Sequence, residues 1–306
     1  MEAGLINWLR IGVLGIIWGS SFMAVSVAIT GFGPITVAAG RILIGAIILL
    51  GLLRIMGLSL PSLKGSEGRK IWLAAFGFGV LTMALPFFLL SWGQLYVASG
   101  FAGVTMAAVP LLVLPLAHLL IPGEKLTAQK TLGFVIGFAG VIVLIGLDAF
   151  KSSGLGLEPL ARLACFGAAA CYAFGGIITK LAPKTNPFAF ATAATMLAAI
   201  IIVPAAIMLE GMPAAWPTSP LIAVVFLGVV PTAAANILLV SVIRSAGPSF
   251  LSLVNYQVPI WSVIFGSLFL SEVLPARTFW ALGLIMLGLA VNQRWKRKKP
   301  APSTAA

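Results

Sequence analysis

Residues 101–126 read FAGVTMAAVPLLVLPLAHLLIPGEKL, and residues 250–274 read FLSLVNYQVPIWSVIFGSLFLSEVL. Each string opens on a phenylalanine, Phe101 or Phe250, and carries a proline nine residues later, Pro110 or Pro259. Each then runs apolar to an acidic residue, Glu124 in Gly-Glu-Lys-Leu or Glu272 in Ser-Glu-Val-Leu. An uncharged run of this length crosses roughly 30 Å of hydrocarbon as a helix. Two such strings, one in each half of the chain, point to a duplicated membrane unit.

Apolar runs recur on both sides of these strings. The predicted spans are 11–29, 35–53, 71–92, 99–120 and 131–147, then 160–179, 188–209, 221–242, 249–270 and 278–293. Only 8% of the 306 residues are charged and the mean hydropathy is +1.12, against about 25% charged in soluble domains. Lipid offers the backbone no hydrogen bonds, so these runs are helices. Breakers such as Gly33-Pro34, Pro122-Gly123, Pro183, Pro187 and Gly247-Pro248 separate them. The first run is too long for the core of a cleaved signal peptide, and nine similar runs follow, which favours an uncleaved first helix.

The connector Asp148–Glu158 divides the ten spans into two sets of five. The predicted units are therefore 1–148, 149–293 and a basic tail, 294–306. Five is odd, so the second copy enters the membrane in the opposite sense. The expected fold class is all-α integral membrane, with ten transmembrane helices in two inverted five-helix repeats around a central-cavity basket. Pro86 and Pro231 read as matching marks of the third and eighth spans. The competing explanation is that proline and glycine are common in membrane helices anyway.

The net charge of +12 sits in short connectors and in the tail. With the N-terminus inside, Arg10, Arg54, Lys64, Arg69, Lys70, Lys125, Lys130, Lys180, Lys184, Arg244 and the five tail residues Arg294, Lys296, Arg297, Lys298 and Lys299 fall on one side. Only Lys151, Arg162 and Arg277 fall on the other. That bias places both termini in the cytoplasm and the basic residues against anionic headgroups. Nucleic acid is excluded as a partner, because nothing outside the membrane is large enough to read it. Cys165 and Cys171, six residues apart on one apolar run, form no disulfide framework, and the lone His118 excludes the usual histidine cluster, so no metal is expected. No phosphate-binding Gly-x-x-x-x-Gly-Lys-Ser/Thr loop occurs and no cofactor is expected; Gly133, Gly137 and Gly140 read as helix-packing glycines.

Trp18-Gly19-Ser20-Ser21-Phe22 in the first span, Arg41 in the second, and the Pro110–Glu124 and Pro259–Glu272 blocks with glycines after them resemble the drug/metabolite transporter superfamily, in its ten-helix EamA-type group. The resemblance covers nearly the whole chain. It implies a basket with a central cavity, both termini cytoplasmic, a bacterial cytoplasmic (inner) membrane, and export of small solutes. Within the group the chain is similar to amino-acid exporters, aromatic ones included. It departs from the group at Tyr172, where a tryptophan is frequent, and in lacking a second-half partner for Arg41.

Polar groups deep in a membrane cost a few kcal/mol to bury, so each is a candidate for the substrate site. Arg41, near the middle of its span, suits a substrate carboxylate through its planar guanidinium, or else pairs with helix carbonyls or snorkels to the interface. Ser252, Asn255, Pro259 and Ser262 form one stripe of the ninth span, flanked by Tyr256, which lines a cavity or bonds to neighbouring helices. Thr232 and Asn236 share a side of the eighth span. Trp18, Ser21, Thr82, Thr105, Tyr172 and Thr179 complete the mixed aromatic and hydroxyl lining expected of a small-molecule pocket. Pro110, Glu124 and Glu272 read as gating or structural, the carboxylates favouring the positive end of the following helix. His118 reads as interfacial.

All seven acidic residues lie in connectors or at span edges. With no midspan carboxylate to carry a proton, facilitated diffusion or exchange is favoured. The expected function is export of small metabolites, neutral or aromatic amino acids foremost, with another metabolite or a drug as the alternative and a monomer as the expected state. An intramembrane enzyme would need convergent acids, bases or nucleophiles that are not visible. A receptor or assembly subunit is the third reading.

Overall fold

The computed structural model describes residues 4–145, 156–246, 248–251 and 253–293. Ten apolar helices run through it. The first repeat holds α1 (Leu5–Ala28), α2 (Pro34–Ile55), α3 (Gly65–Gly93), α4 (Ser99–Leu120) and α5 (Ala128–Ile145). The second holds α6 (Glu158–Leu181), α7 (Pro187–Glu210), α8 (Thr218–Val242), α9 (Val254–Leu270) and α10 (Ala276–Gln293). Eight are long enough to span a bilayer outright and α9 and α10 are shorter apolar helices. The connector 146–155 and the tail 294–306, on which the predicted unit boundaries fall, lie outside the described residues, as does Ser252.

Local chemistry sets the starts. Pro34 and Pro187 open α2 and α7, where a missing N–H costs nothing and the fixed φ suits a helix. Asn186 caps α7, its Oδ1 accepting from the N–H groups of Phe188 (2.9 Å) and Ala189 (3.3 Å). Three boundaries differ from the hydropathy reading, the first being α1, which begins at Leu5 rather than 11. α3 begins at Gly65 rather than near 71, because its first turn is polar; Trp72 anchors it by donating Nε1–H to the Pro61 carbonyl, 2.9 Å away. The ninth span consists of a short helix, Pro248–Leu251, ahead of α9.

The inverted relation is visible in which helices touch. α1 packs on α8 as α6 packs on α3, α1 on α9 as α6 on α4, and α2 on α8 as α7 on α3, while α2–α7, α4–α9 and α5–α10 pair across the axis. The α5–α10 contact is made close by glycine. A Cβ built on Gly140 would lie 2.8 Å from Ile285 Cγ1, and Gly288 faces the backbone of Gly133 and Gly137.

Each repeat also contains a widened π-helical turn, Val80–Ala84 in α3 and Gly228–Ala234 in α8. Gly79 abuts the Ala194 carbonyl of α7, and Gly228 abuts the Arg41 carbonyl of α2. The two widened turns are therefore counterparts, but the prolines beside them are not. The shift of 149 that carries Pro110 onto Pro259 carries Pro86 onto Ala235 and Thr82 onto Pro231, which corrects the pairing of Pro86 with Pro231.

Candidate functional site

A cavity of about 360 Å³ lies among α1, α2, α3, α4, α6, α8 and α9, within the range of small-molecule sites. Trp18, Ser21, Arg41, Thr82, Tyr172, Asn236 and Asn255 of the predicted site all line it. Thr105 and Thr179 do not. Each donates its hydroxyl to the carbonyl one turn back, Phe101 (3.0 Å) and Gly175 (2.9 Å), so each is satisfied within its own helix; Thr105 is fully buried in packing and Thr179 lies exposed near the end of α6. Pro259 and Tyr256 also lie off the cavity. The Pro259 carbonyl accepts from Ser262 Oγ (2.8 Å), and Ser262 fills the space beside Gly103 of α4. The α9 stripe thus divides, with Asn255 at the cavity and Pro259 and Ser262 in the helix contact.

Among the described residues Arg41 is the one charged group on the wall, only 6% exposed. Its Cζ sits 3.7 Å from the centroid of the Phe87 ring, and its Nε has no hydrogen-bond acceptor among the described residues. Holding an arginine at this depth costs about 2.5–3.5 kcal/mol on insertion scales, and a desolvated cation–π contact returns about 2 kcal/mol at best. The ring therefore offsets only part of the cost. A donor array buried with that deficit is matched to an anion, a carboxylate above all.

Phe87, Phe78, Met106 and Gln94 line the cavity too and were not singled out from sequence. Gln94, buried at the end of α3, accepts through Oε1 from Ser26 Oγ (3.0 Å) and so ties α3 to α1. It was detectable as an amide closing an apolar run. Phe87 was harder to find, because the widened turn puts it five residues after Thr82 rather than three or four.

Six cavity positions of α3 and α4 map onto six of α8 and α9 by the same shift of 149: Thr82 onto Pro231, Met83 onto Thr232, Phe87 onto Asn236, Leu90 onto Leu239, Met106 onto Asn255 and Val109 onto Val258. At three of them an apolar side chain faces a hydrogen-bonding counterpart. Asn236 directs Nδ2 to the Thr232 carbonyl (2.6 Å), which fixes the amide and leaves Oδ1 as an acceptor. Thr82 makes the one reverse exchange, and its hydroxyl is bonded to the Phe78 carbonyl at 2.6 Å.

The two membrane faces are built differently. On one, Glu272, after α9, accepts from the N–H groups of Ser99 (2.7 Å) and Gly100 (3.0 Å) at the start of α4. It reaches across to the first repeat rather than to the following helix, as the sequence had suggested. On the same face Glu210 accepts from Ile35 N (3.0 Å), Thr36 N (2.9 Å) and Thr36 Oγ1 (2.7 Å) at the start of α2. On the other face Glu124 bonds Lys180 Nζ at 2.8 Å with Lys130 Nζ at 3.6 Å, and its carbonyl accepts from His118 Nδ1 at 3.1 Å. The hydrogen bond and charge of Lys180 hold the Glu124 carboxyl below its ordinary pKa. Pro110 lies within α4, off the cavity wall.

Ten helices in inverted halves around a buried, partly polar cavity define a membrane transporter. The sequence model of the EamA-like transporter family matches residues 9–146 and, a second time, residues 160–293. The chain belongs to that family. It is 26% identical over 289 residues to an uncharacterized transporter of Archaeoglobus fulgidus, covering 94% of this chain and 99% of that one. It is 28% identical to the uncharacterized inner membrane transporter YedA of Escherichia coli K12, over 96% of this chain and 92% of the relative. A solved crystal structure superposes with a TM-score of 0.66 at 20% identity, covering 95% of this chain and 99% of that one, which shows the shared fold.

Proposed function

We propose that this transporter exports small metabolites bearing a carboxylate, neutral and aromatic amino acids foremost, by alternating access of a cavity between its two repeats. The observation that carries this reading is Arg41, buried on the cavity wall, stacked on Phe87 and with Nε unpartnered among the described residues. Aromatic side chains around it, Trp18, Phe78 and Tyr172, suit an aromatic body. The halves 1–148 and 149–293 are the moving bodies. The bias of lysine and arginine toward the Glu124 face makes that face, both termini and the tail 294–306 cytoplasmic, in a bacterial inner membrane. Among the described residues the cavity wall contains no carboxylate, which favours transport down the substrate gradient or by exchange over a buried proton carrier.

Uptake of a labelled panel of aromatic and aliphatic amino acids into liposomes containing the purified protein, with and without a pH gradient, tests this. Saturable uptake of aromatic members, indifferent to the gradient, is expected. No uptake above empty liposomes would remove the amino-acid assignment and move another small metabolite or a drug ahead.

A further inference from the structure

Glu210 ends α7 and Glu272 follows the C-terminal end of α9, and helix C-termini repel carboxylates. Neither placement is favoured by its own helix. Both become favourable only through the helix N-termini they reach, those of α2 and α4, whose first N–H groups have no partner within the helix. In both cases the carboxylate belongs to the second repeat and the N–H groups to the first. Both contacts therefore tie the same two repeats together at this face.

The same face lies at one end of the cavity. Gln94 lines the cavity and bonds Ser26, and Ser99, five residues on, is held by Glu272. Gly266 lets α9 approach there, since a Cβ on it would lie 2.9 Å from Ser99 Oγ. At the opposite face the described residues show no reciprocal arrangement. Glu124, the counterpart of Glu272, is engaged by lysines, and α7 is capped by its own Asn186. Among the described residues, carboxylates of one repeat reach helix N-termini of the other at this face only, whereas the opposite face is bridged by the Glu124–Lys180 ion pair.

We infer that Glu210 and Glu272 are positioning residues of the transport cycle, a pair of cross-repeat clamps that hold the cavity shut at their face and release together when it opens. The inference rests on the transporter reading above and adds residues and a movement to it. Hydrogen–deuterium exchange of the full chain in lipid nanodiscs tests it at the backbone amides of Ile35, Thr36, Ser99 and Gly100. Glu272→Gln keeps the shape of the side chain and removes its charge. It is expected to raise exchange at Ser99 and Gly100 and also at Ile35 and Thr36, roughly tenfold at each, the factor a lost charge-assisted hydrogen bond gives. Glu210→Gln is expected to do the same from the other side. Exchange that rises only at the helix each residue touches, or at neither, overturns the inference by making the two carboxylates separate local caps. Should either glutamine variant fail to insert, Glu272→Asp and Glu210→Asp, which keep the charge on a shorter arm, give the same two-site readout. Uptake by the same purified proteins reconstituted into liposomes separates the two readings: absence of saturable uptake by wild-type protein refutes the transporter reading, whereas the exchange pattern decides the clamps alone.

Discussion

The cavity has two walls of common descent. Along α3 and α4 it presents Met83, Phe87 and Met106; along α8 and α9 the corresponding positions are Thr232, Asn236 and Asn255. Leu90 and Leu239, or Val109 and Val258, have barely diverged. The frame is thus kept by apolar pairs while three positions have been recast from apolar to polar, Asn236 and Asn255 bringing amides to the cavity and Thr232 bonding the Leu227 carbonyl of its own helix at 2.8 Å. The arginine follows the same pattern. Seven residues after its opening proline α2 carries Arg41, and seven after Pro187 α7 carries the fully buried Ala194. Inverted symmetry builds the cavity, and departures from it supply the chemistry.

The largest expected effect comes from removing the strongest departure. Arg41→Ala should lower substrate uptake at least tenfold, because a hydrogen bond to a charged group contributes about 1.5–3 kcal/mol, while insertion and yield stay normal. Unchanged uptake would take the arginine out of the site and leave the asymmetry of α2 and α7 without a role in transport.

A smaller effect follows from making the polar wall as apolar as the other. Asn236→Leu combined with Asn255→Met should weaken apparent substrate affinity roughly fivefold, the value of an ordinary net hydrogen bond. The volume-conserving Met106→Leu on the opposite wall should change it less than about twofold. The reverse ranking would mean that the first repeat, not the second, reads the polar part of the substrate.

The smallest effect belongs to the two faces. Glu124 pairs with Lys180 in solvent, where such pairs contribute about 0–1 kcal/mol. Its carboxyl is held below the ordinary value in the folded state, so the contribution is present above the unfolded carboxylate pKa and is lost as pH falls through the lowered one. Glu124→Gln should therefore lower the thermal midpoint slightly at pH 7, and the difference from wild type should vanish in acid. A difference that grows on acidification would refute the lysine pairing.

Much of this architecture was legible in the sequence for a simple reason: lipid forbids unsatisfied backbone, so hydropathy alone places helices. Arg41 was equally plain, a lone charge inside an apolar run. Thr105 and Thr179 show where such legibility stops. A membrane-helix hydroxyl can bond its own backbone one turn back, and nothing in the sequence says whether it does. Phe87 shows a second limit, since a widened turn moves every later residue about 100° around the helix and spoils a count by threes and fours. The targets of Glu210 and Glu272 lie more than 170 positions away in the chain and belong to tertiary structure.

The widened turns of α3 and α8 also bear on ancestry. They occupy equivalent places, each announced by a glycine against a facing carbonyl, yet the prolines near them fall at non-equivalent positions. A feature shared by both copies is older than one that differs between them. The widened turn therefore belongs to the frame that the two halves share, and the prolines to what distinguishes them.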